Sequence, residues 1–584
     1  MCAIAGCISF ADAPDCRGLL AAMRHRGPDE ARQFVKGTVA IGAARLAIVD
    51  TEHGAQPMRD PESGIAVVFN GEITNAAELR EELSRRGHCF RGRCDTEVVL
   101  AAFVAWGEAA AARLTGMFAI AVRFSDRLLL LRDRHGIKPL AFHCDARADR
   151  FLFASEAKAI GAVLPQPPRL DLTTLADFAV LGTPIDGATF FETITELNPG
   201  HMMAVTWQGR VRVGPQRAIA GSARANTARA AAKVSEAQAD ERFEAALIAA
   251  VRRHCVADTE IVVSLSGGLD SAVLALVVAE LTGRPPRTFT VAEDSHHPDA
   301  VAAARLARSL GAAHEFLDVS FGAFLAAIPV TLRAVEQPDL AAGPLFALLC
   351  HRIGLTTRCC LNGEGADELM GGYAAYRTPE RSLDAIEAAL RRVRRVGLAP
   401  REGVLTRIEA LRAAATTGTL RETLLAHDRA DPLERGHLQP VDRLSMAASV
   451  EMRVPYLDDD LGQLLETLPP SVIVGPPGAS GKAILRRFAA HRYGERARAI
   501  VTRPKLMMPE AARGHLTRFR GLCERAIPDR ALQSSEFGDL FEAKADLVLF
   551  EVFRRQVFAN GEPPDLQEVM AEMAGRPEAA LAAP

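Results

Sequence analysis

Three stretches of the chain bring reactive residue types close together. Cys2 stands directly behind the initiator methionine. Loss of Met1 would leave a thiol and a free α-amine on one residue. An α-amine with its ordinary pKa of about 7.7–8.0 serves as general base to an adjacent nucleophile at neutral pH. The second stretch, Ser266-Gly267-Gly268-Leu269-Asp270-Ser271, follows the apolar run Ile261–Leu265 and precedes another from Ala272 to Ala279. That pattern predicts a buried strand, a tight loop and a helix. Such a loop aims backbone N–H groups and a helix dipole at one point, which suits an anionic phosphate. The Gly-Lys-Ser/Thr ending of a Walker-type loop is missing. In the third stretch, Cys359-Cys360-Leu361 runs into Asn362-Gly363-Glu364-Gly365-Ala366-Asp367-Glu368, a second strand-to-loop junction carrying carboxylates. Oxygen ligands suit the Mg²⁺ that a phosphate site needs.

Each stretch has a plain structural alternative. A small residue at position two is common, a serine-glycine turn needs no ligand, and an acidic loop can simply face solvent. Cys2 and Cys7 lack a second pair at metal-ligand spacing.

More of the first half bears on the same question. Arg24–Asp29 reads as a turn, and Ala44–Asp50 as a strand with Arg45 alone among apolar neighbours. A buried guanidinium needs a partner, either a structural carboxylate or that of a ligand. Val67–Ile73 reads as a strand ending in a polar turn, where the Asn70 side-chain amide and the Gly71 N–H can stabilise an oxyanion. Asp95 opens a helix as a plausible cap or, alternatively, pairs a ligand ammonium.

These residues need a scaffold, and 584 residues suffice for two to four domains. The 48% hydrophobic and 24% charged fractions are those of a globular protein. A net charge of −3 supplies no basic field for nucleic acid or anionic lipid, and 5% aromatics argue against base-stacking platforms. No apolar run approaches the roughly 18 residues of a membrane span. The start, Met1-Cys2-Ala3-Ile4-Ala5-Gly6, does not read as a signal peptide, and the 11 cysteines are an odd number. A reducing cytoplasm is expected.

Residues 117–124, 127–132 and 150–154 read as antiparallel strands. Residues 208–240, rich in Ala and Arg, read as a linker before a helix over about 240–254. Beyond the Gly loop, a strand at Arg287–Val291, a helix over about 299–310 and a strand from His314 imply a parallel sheet, with ligands at the carboxyl ends of its strands.

Cys2, the Arg45 stretch, Asn70-Gly71-Glu72 and Asp95 together resemble class II, N-terminal-nucleophile glutamine amidotransferases. Ser266–Ser271, Asn362–Glu368, Asp442–Met446, Val450–Asp458, Lys482–Arg486 and Arg503-Pro504-Lys505 resemble the synthetase domain of glutamine-dependent asparagine synthetases. The resemblance implies a two-domain α/β and α+β protein. Residues 2–207 would form an α-β-β-α Ntn-hydrolase sandwich, 208–240 a linker, and 241–575 a parallel-sheet nucleotide-binding synthetase domain with a helical C-terminal part. It also implies that Cys2 attacks glutamine, that Asn70 and Gly71 form the oxyanion hole, and that Arg45 and Asp95 hold the α-carboxylate and α-amine. Leu46, Ala47, Ile48, Val49 and Glu72 would complete that pocket. In the second domain, Leu265, Val291, Asn362 and Gly363 would contact ATP, and Ser266, Gly267, Gly268, Leu269, Asp270 and Ser271 would hold its pyrophosphate. Asp270 and Asp367 would ligate Mg²⁺, Glu364 would assist the acyl-adenylate chemistry, and Lys505 would stabilise the transition state. Arg453 reads as a structural ion-pair residue. The partners implied are glutamine, ATP and aspartate or another carboxylate, in a homodimer, without nucleic acid or membrane.

Two departures from the family pattern stand out. Ala3 replaces a common glycine, and Asn362 replaces a usual serine. The stretch Glu336–Pro344 also lacks the small hydroxyl residues typical of asparagine synthetases, which leaves a paralogue amidating a different acid as the alternative. A ligand-binding homologue without turnover is disfavoured because Cys2, Asn70, Asp270, Glu364 and Lys505 are all present. A β-lactam-forming relative is disfavoured because Cys2 is retained.

Overall fold

A computed structural model describes residues 2–221, 234–340, 343–476, 480–503, 508–558 and 564–575. The first half supplies strands β1 (Cys2–Ser9), β2 (Glu30–Lys36), β3 (Val39–Arg45), β4 (Met58–Arg59), β5 (Ala66–Ile73), β6 (Gly116–Arg123) and β7 (Arg127–Arg132). It continues with β8 (Ala141–Asp145), β9 (Arg150–Ala154), β10 (Thr195–Glu196), β11 (His201–Thr206), β12 (Arg212–Val213) and β13 (Arg217–Ala218). One antiparallel sheet runs β10-β8-β9-β1-β3-β2; the other runs β12-β11-β7-β6-β5-β4, with β13 also on β11.

Side-chain alternation along these strands builds the layers. Ile4 and Ile8 of β1 face Val68, Ala119 and Leu130 of the other sheet in a shared core. Ala3, Ala5 and Cys7 point the other way, onto Leu19, Leu20 and Ile160 of flanking helices. Val67 and Phe69 of β5 likewise pack on Leu79, Val98 and Phe103 beneath helices Ala76–Arg85 and Asp95–Trp106. The result is an α-β-β-α sandwich. Ala3 fits it, because its methyl is buried in the outer cluster beside Ala44.

The second half is built on β14 (Ile261–Ser264), β15 (Thr288–Ala292), β16 (His314–Asp318), β17 (Cys359–Leu361) and β18 (Glu451–Arg453). All pair in parallel, in the order β16-β15-β14-β17-β18. Connections leave β14 and β17 in opposite directions, so a crevice opens past their carboxyl ends, where both Gly loops lie. Helix Leu269–Thr282 follows β14 with both faces buried, as its continuous apolar sequence requires. The chain after residue 366 is mainly helical.

Local expectations needed correction in several places. The Ala44–Asp50 segment stops being a strand at Arg45, where β3 ends. Beyond it, Leu46, Ile48 and Val49 pack on Cys359, Met446, Ala257 and Ile261, so tertiary burial claims the apolar run rather than a sheet. Asn70, Gly71 and Glu72 lie within β5, not in a turn after it. Arg24–Arg26 forms a turn of 3₁₀ helix. Asp95 is the first residue of its helix rather than its cap; Cys94 holds the cap position, and the Asp95 carboxylate accepts from the Ile73 N–H at 3.1 Å. The helix expected from about 240 begins at Glu236, behind a Ser235–Gln238 capping box. Within the stretch read as linker, β12 and β13 pair with β11.

The domains meet through buried ion pairs. Arg26 reaches Glu156 at 3.0 Å and Asp442 at 2.7 Å, and Lys138 also reaches Asp442 at 3.0 Å. Glu196 accepts from Arg443 at 2.8 Å, and Arg132 reaches Glu434 at 2.7 Å. Among the described residues no helix is long and apolar enough to cross a membrane. All eleven cysteines are free thiols.

Candidate active sites

The first site assembles at the start of β1. Pairing of β1 with β3 sets Cys2 opposite Arg45. The Cys2 main-chain nitrogen donates to Asn70 Oδ1 at 3.1 Å. Asn70 Nδ2 is buried and meets no hydrogen-bond partner among the described residues, a costly state for an amide unless an oxyanion uses it. Gly71 holds φ of +148°, and a Cβ there would lie 1.9 Å from the Met117 carbonyl, so only glycine keeps this stretch of β5 beside β6. Burial pushes the Cys2 thiol pKa up, so the nucleophile needs a base close by.

Around it, Arg45 donates to the carbonyls of Thr51 at 2.8 Å and Asp50 at 2.7 Å. Burial raises Asp95 to about 6. It raises Glu72 to about 8 against the pull of Arg453, whose guanidinium lies 3.0 Å away. Arg453 divides its charge with Glu451, which it holds down at about 2 although burial opposes this. The Leu46 amide faces the Cys2 sulfur, and the Ala47 N–H donates to Asp29 at 2.9 Å. The side chains of Leu46, Ile48 and Val49 pack against the second domain. Gln56 escaped sequence reasoning altogether. Its Nε2 lies 3.6 Å from the Cys2 sulfur and 3.0 Å from the Phe69 carbonyl, while its Oε1 accepts from the Phe69 N–H at 2.7 Å. No local pattern marked it.

The second site is a cavity of about 250 Å³ in the crevice past β14 and β17. Leu265, Ser266, Asp270, Ser271, Val291, Asn362, Gly363, Glu364 and Asp367 line it. Gly267 is held at φ +73° with its Cα against the Asp299 carbonyl, where a Cβ would come to 2.2 Å. Gly268 precedes the helix as its cap residue, while Leu269 turns into the core. Ser266 and Ser271 hydroxyls lie 3.1 Å apart, and Ser271 Oγ also accepts from the Ser266 N–H at 3.1 Å. Arg503 braces the loop by donating to the Gly267 carbonyl at 2.6 Å and pairing Asp299 at 2.7 Å. Asn362 uses its larger side chain as a loop cap: its Oδ1 accepts from the Glu364 N–H at 2.9 Å.

Lys482 is the residue that sequence reasoning left without a role. Its buried Nζ sits 2.6 Å from Asp270 and 2.7 Å from Asp367, joining the two loops. The two carboxylates converge on one cationic point, the Lys482 ammonium, and are oxygen donors of the kind that Mg²⁺ takes. Lys505 lies outside the described residues. Glu364 contacts the His437 ring at 3.0 Å. The Glu336–Pro344 stretch reaches this site too, because Gln337, Asp339, Leu340 and Gly343 line the cavity. Gln337 is fixed there by donating to the Arg435 carbonyl at 2.9 Å.

Residues 1–214 match the family described as a glutamine amidotransferase domain. Residues 242–562, more than half of the chain, match the family described as asparagine synthase. The chain belongs to the asparagine synthase family. Among curated members, it is 29% identical to "Asparagine synthetase [glutamine-hydrolyzing] 3" of Bacillus subtilis over 76% of each chain. It is also 29% identical to a putative asparagine synthetase [glutamine-hydrolyzing] of Mycobacterium tuberculosis, over 90% of this chain and 87% of the relative. A third relative, "Amidase chry2" of Gibberella zeae, is 29% identical over 65% of this chain and 59% of its own. The family thus includes proteins named for different activities, and the acceptor must be argued from the site.

Proposed function

We infer that this enzyme hydrolyses glutamine at Cys2 and uses ATP to convert a carboxylate, with aspartate as the expected acceptor, into its amide. The observation that carries this reading is the Asp270–Lys482–Asp367 cluster behind the Ser266–Ser271 loop, in the same chain as a buried Cys2 whose main-chain nitrogen donates to Asn70 Oδ1.

In the first half-reaction the α-amine of Cys2, freed by loss of Met1, accepts the thiol proton. The sulfur adds to the glutamine side-chain carbonyl, and Asn70 Nδ2 and the Gly71 N–H stabilise the oxyanion. Arg45 and Asp95 orient the glutamine backbone groups, with Glu72 and the main chain of 46–49 closing the pocket. Ammonia leaves, and water clears the thioester. In the second half-reaction the loop N–H groups and serines hold the pyrophosphate, with Leu265, Val291, Asn362 and Gly363 around the nucleotide. Lys482 steadies the charge that develops as the carboxylate attacks the α-phosphate; Lys505 is proposed to add to it. Mg²⁺ held by Asp270 and Asp367 would neutralise phosphate charge. Ammonia then displaces AMP. It passes internally, because in water at neutral pH most of it would protonate.

A second reading, amidation of another acid, is favoured by one observation: Gln337, Asp339 and Leu340, in place of small hydroxyl residues, line the cavity. The deciding measurement is glutamine- and ATP-dependent release of AMP and pyrophosphate with a panel of carboxylates. Aspartate giving no signal while another acid does would reject the first reading and select the second.

A further inference from the structure

A second cleft, of about 760 Å³, opens where the two domains meet and shares no lining residue with the synthetase cavity. Three elements supply it with basic side chains: His25 from the 3₁₀ turn, Lys158 from helix Ala157–Gly161 and Arg333 from helix Phe321–Val335. No carboxylate lines it among the described residues. Leu164, Pro165, Pro167, Pro168 and Phe558 give it an apolar wall. Gln556, the other polar side chain there, already donates to the Pro564 carbonyl at 2.7 Å.

The cations of this cleft have few acids to share. His25 Nε2 at 3.1 Å, Arg26 Nη1 at 3.0 Å and Lys158 Nζ at 2.7 Å all converge on the buried Glu156 carboxylate. Burial works to raise the pKa of that carboxyl, yet Lys158, His25 and Arg26 hold it well below the usual carboxylate range. Glu336 gives Lys158 a second, longer contact at 3.5 Å but also serves Arg443 at 3.4 Å. Lys158 Nζ also donates at 3.4 Å to the carbonyl of Ala334, the residue after Arg333. Arg333 itself is exposed and makes no hydrogen bond or ion pair among the described residues. One face of the cleft is thus cationic and the other apolar.

We propose that this cleft binds an organic anion, a phosphate or carboxylate head on a flat apolar body, and that its binding loosens the synthetase cavity's hold on the acceptor. Lys158, Arg333 and His25 take the head, and the prolines and Phe558 take the body. The binding stands on the cleft alone, whereas its effect on the acceptor rests on the amide-forming reading above. Coupling runs through Glu336. That residue ends helix Phe321–Val335 at φ +59°, an uncommon backbone for a residue with a Cβ, and its carboxylate accepts from the Lys158 N–H at 3.1 Å. Gln337, Asp339, Leu340 and Gly343, which follow it, line the synthetase cavity. An anion that draws Lys158 away from Glu336 therefore removes a tether from that wall.

The test titrates the full chain by calorimetry with phenyl phosphate, phenylacetate and inorganic phosphate, using wild type, Arg333→Glu, Arg333→Lys and Lys482→Met. At least one aryl anion is expected to bind wild type, and Arg333→Glu at least about tenfold more weakly, because attraction for the head becomes repulsion. The tighter of the two identifies the head. Arg333→Lys, which keeps the charge, and Lys482→Met, at the other cavity, should bind within about threefold of wild type. Glutamine hydrolysis without ATP checks folding. Absence of binding to wild type, or binding that Arg333→Glu leaves unchanged, would overturn the site. Inorganic phosphate binding as tightly as phenyl phosphate would overturn the apolar body. With MgATP, ammonium chloride and the carboxylate panel, the bound aryl anion should raise the acceptor KM of wild type about fivefold and leave that of Arg333→Glu unchanged. A wild-type KM that stays constant, or one raised equally in Arg333→Glu, would overturn the coupling. Wild type that releases pyrophosphate with no acid would overturn the amide-forming reading and the coupling with it, while the calorimetry still decides the site.

Discussion

The two candidate sites meet the same problem, placing a nucleophile beside an electrophile, with opposite materials. The glutamine site is written into sheet register. Cys2, Arg45, Asn70 and Gly71 sit on paired strands, and their separations follow from β1 lying on β3 and β5 lying on β6. The synthetase site is written into loops at the ends of parallel strands, tied together by side chains from far along the chain. Lys482 reaches back to Asp270, and His437 to Glu364. Strand-borne geometry is rigid and suits a covalent nucleophile whose oxyanion position is fixed. Loop-borne geometry suits a site that must admit a triphosphate, a second acid and then ammonia. The contrast predicts that the first site fails abruptly when one atom is removed, and the second by degrees.

The sharpest way to break the comparison is Cys2→Ala. Glutamine-dependent amide formation should fall by on the order of a thousandfold or more, because no other group described near Asn70 replaces the sulfur. Ammonia-dependent synthesis should persist, since the second site is separate. Measuring both with the same acid decides it, and residual glutamine use at a tenth of wild type would remove Cys2 from the mechanism. Lys482→Met is the counterpart in the loop-built site. Losing one preorganised charge there should cost about a hundredfold to a thousandfold in pyrophosphate release, with glutaminase turnover retained. A loss under fivefold would leave the lysine as a purely structural tie.

These same contacts mark the limit of what the sequence discloses. The antiparallel strands of the first half and the parallel sheet of the second were legible because β-period alternation and strand–loop–helix order are local properties of the chain, whereas the α-β-β-α layering came from the family resemblance. Cys2, Asn70, Asp270 and Glu364 could be singled out because each sits in a short motif. Gln56, Lys482 and His437 could not be assigned roles, because their meaning comes from partners many residues away. For the same reason, Leu46–Val49 resembled a strand: an apolar run looks alike whether its partner is a sheet neighbour or a second domain. Arg453 was legible as an ion-pair residue, but not as one that reaches the glutamine pocket.

Arg453 is where the two sites touch. It donates to Glu72 in the first and, through its carbonyl, accepts from the Asn362 N–H at 2.9 Å in the second. Arg453→Met would leave the buried Glu451 carboxylate without its cation, a loss worth about 3–5 kcal/mol of stability. The expected signature is a lower melting temperature, together with glutamine hydrolysis that no longer responds to ATP and acceptor. If the melting temperature falls but hydrolysis still responds fully, the contact is structural alone and the sites communicate elsewhere.

The smallest effect is a titration, and it distinguishes the sites by pH. Asp95 is to pair the glutamine ammonium, so it must be ionised, yet burial raises it to about 6. The neighbours that face it are Glu72, Glu451 and Arg453, together with the Ile73 N–H that donates to it. Below pH 6 the free enzyme therefore carries a neutral Asp95, and kcat/KM for glutamine should fall about tenfold per unit as pH drops further. Stability runs the other way. A carboxyl with a raised folded pKa binds its proton more tightly in the native state, so its contribution is present at low pH and is lost as pH rises from about 4 to about 6. Acidification should thus weaken glutamine use without weakening the fold at this residue. Ammonia-dependent synthesis, corrected for the free-base fraction of ammonia, should lack the same limb because Asp95 has no part in it. A glutaminase profile that stays flat from pH 5 to 7 would remove Asp95 from the pocket.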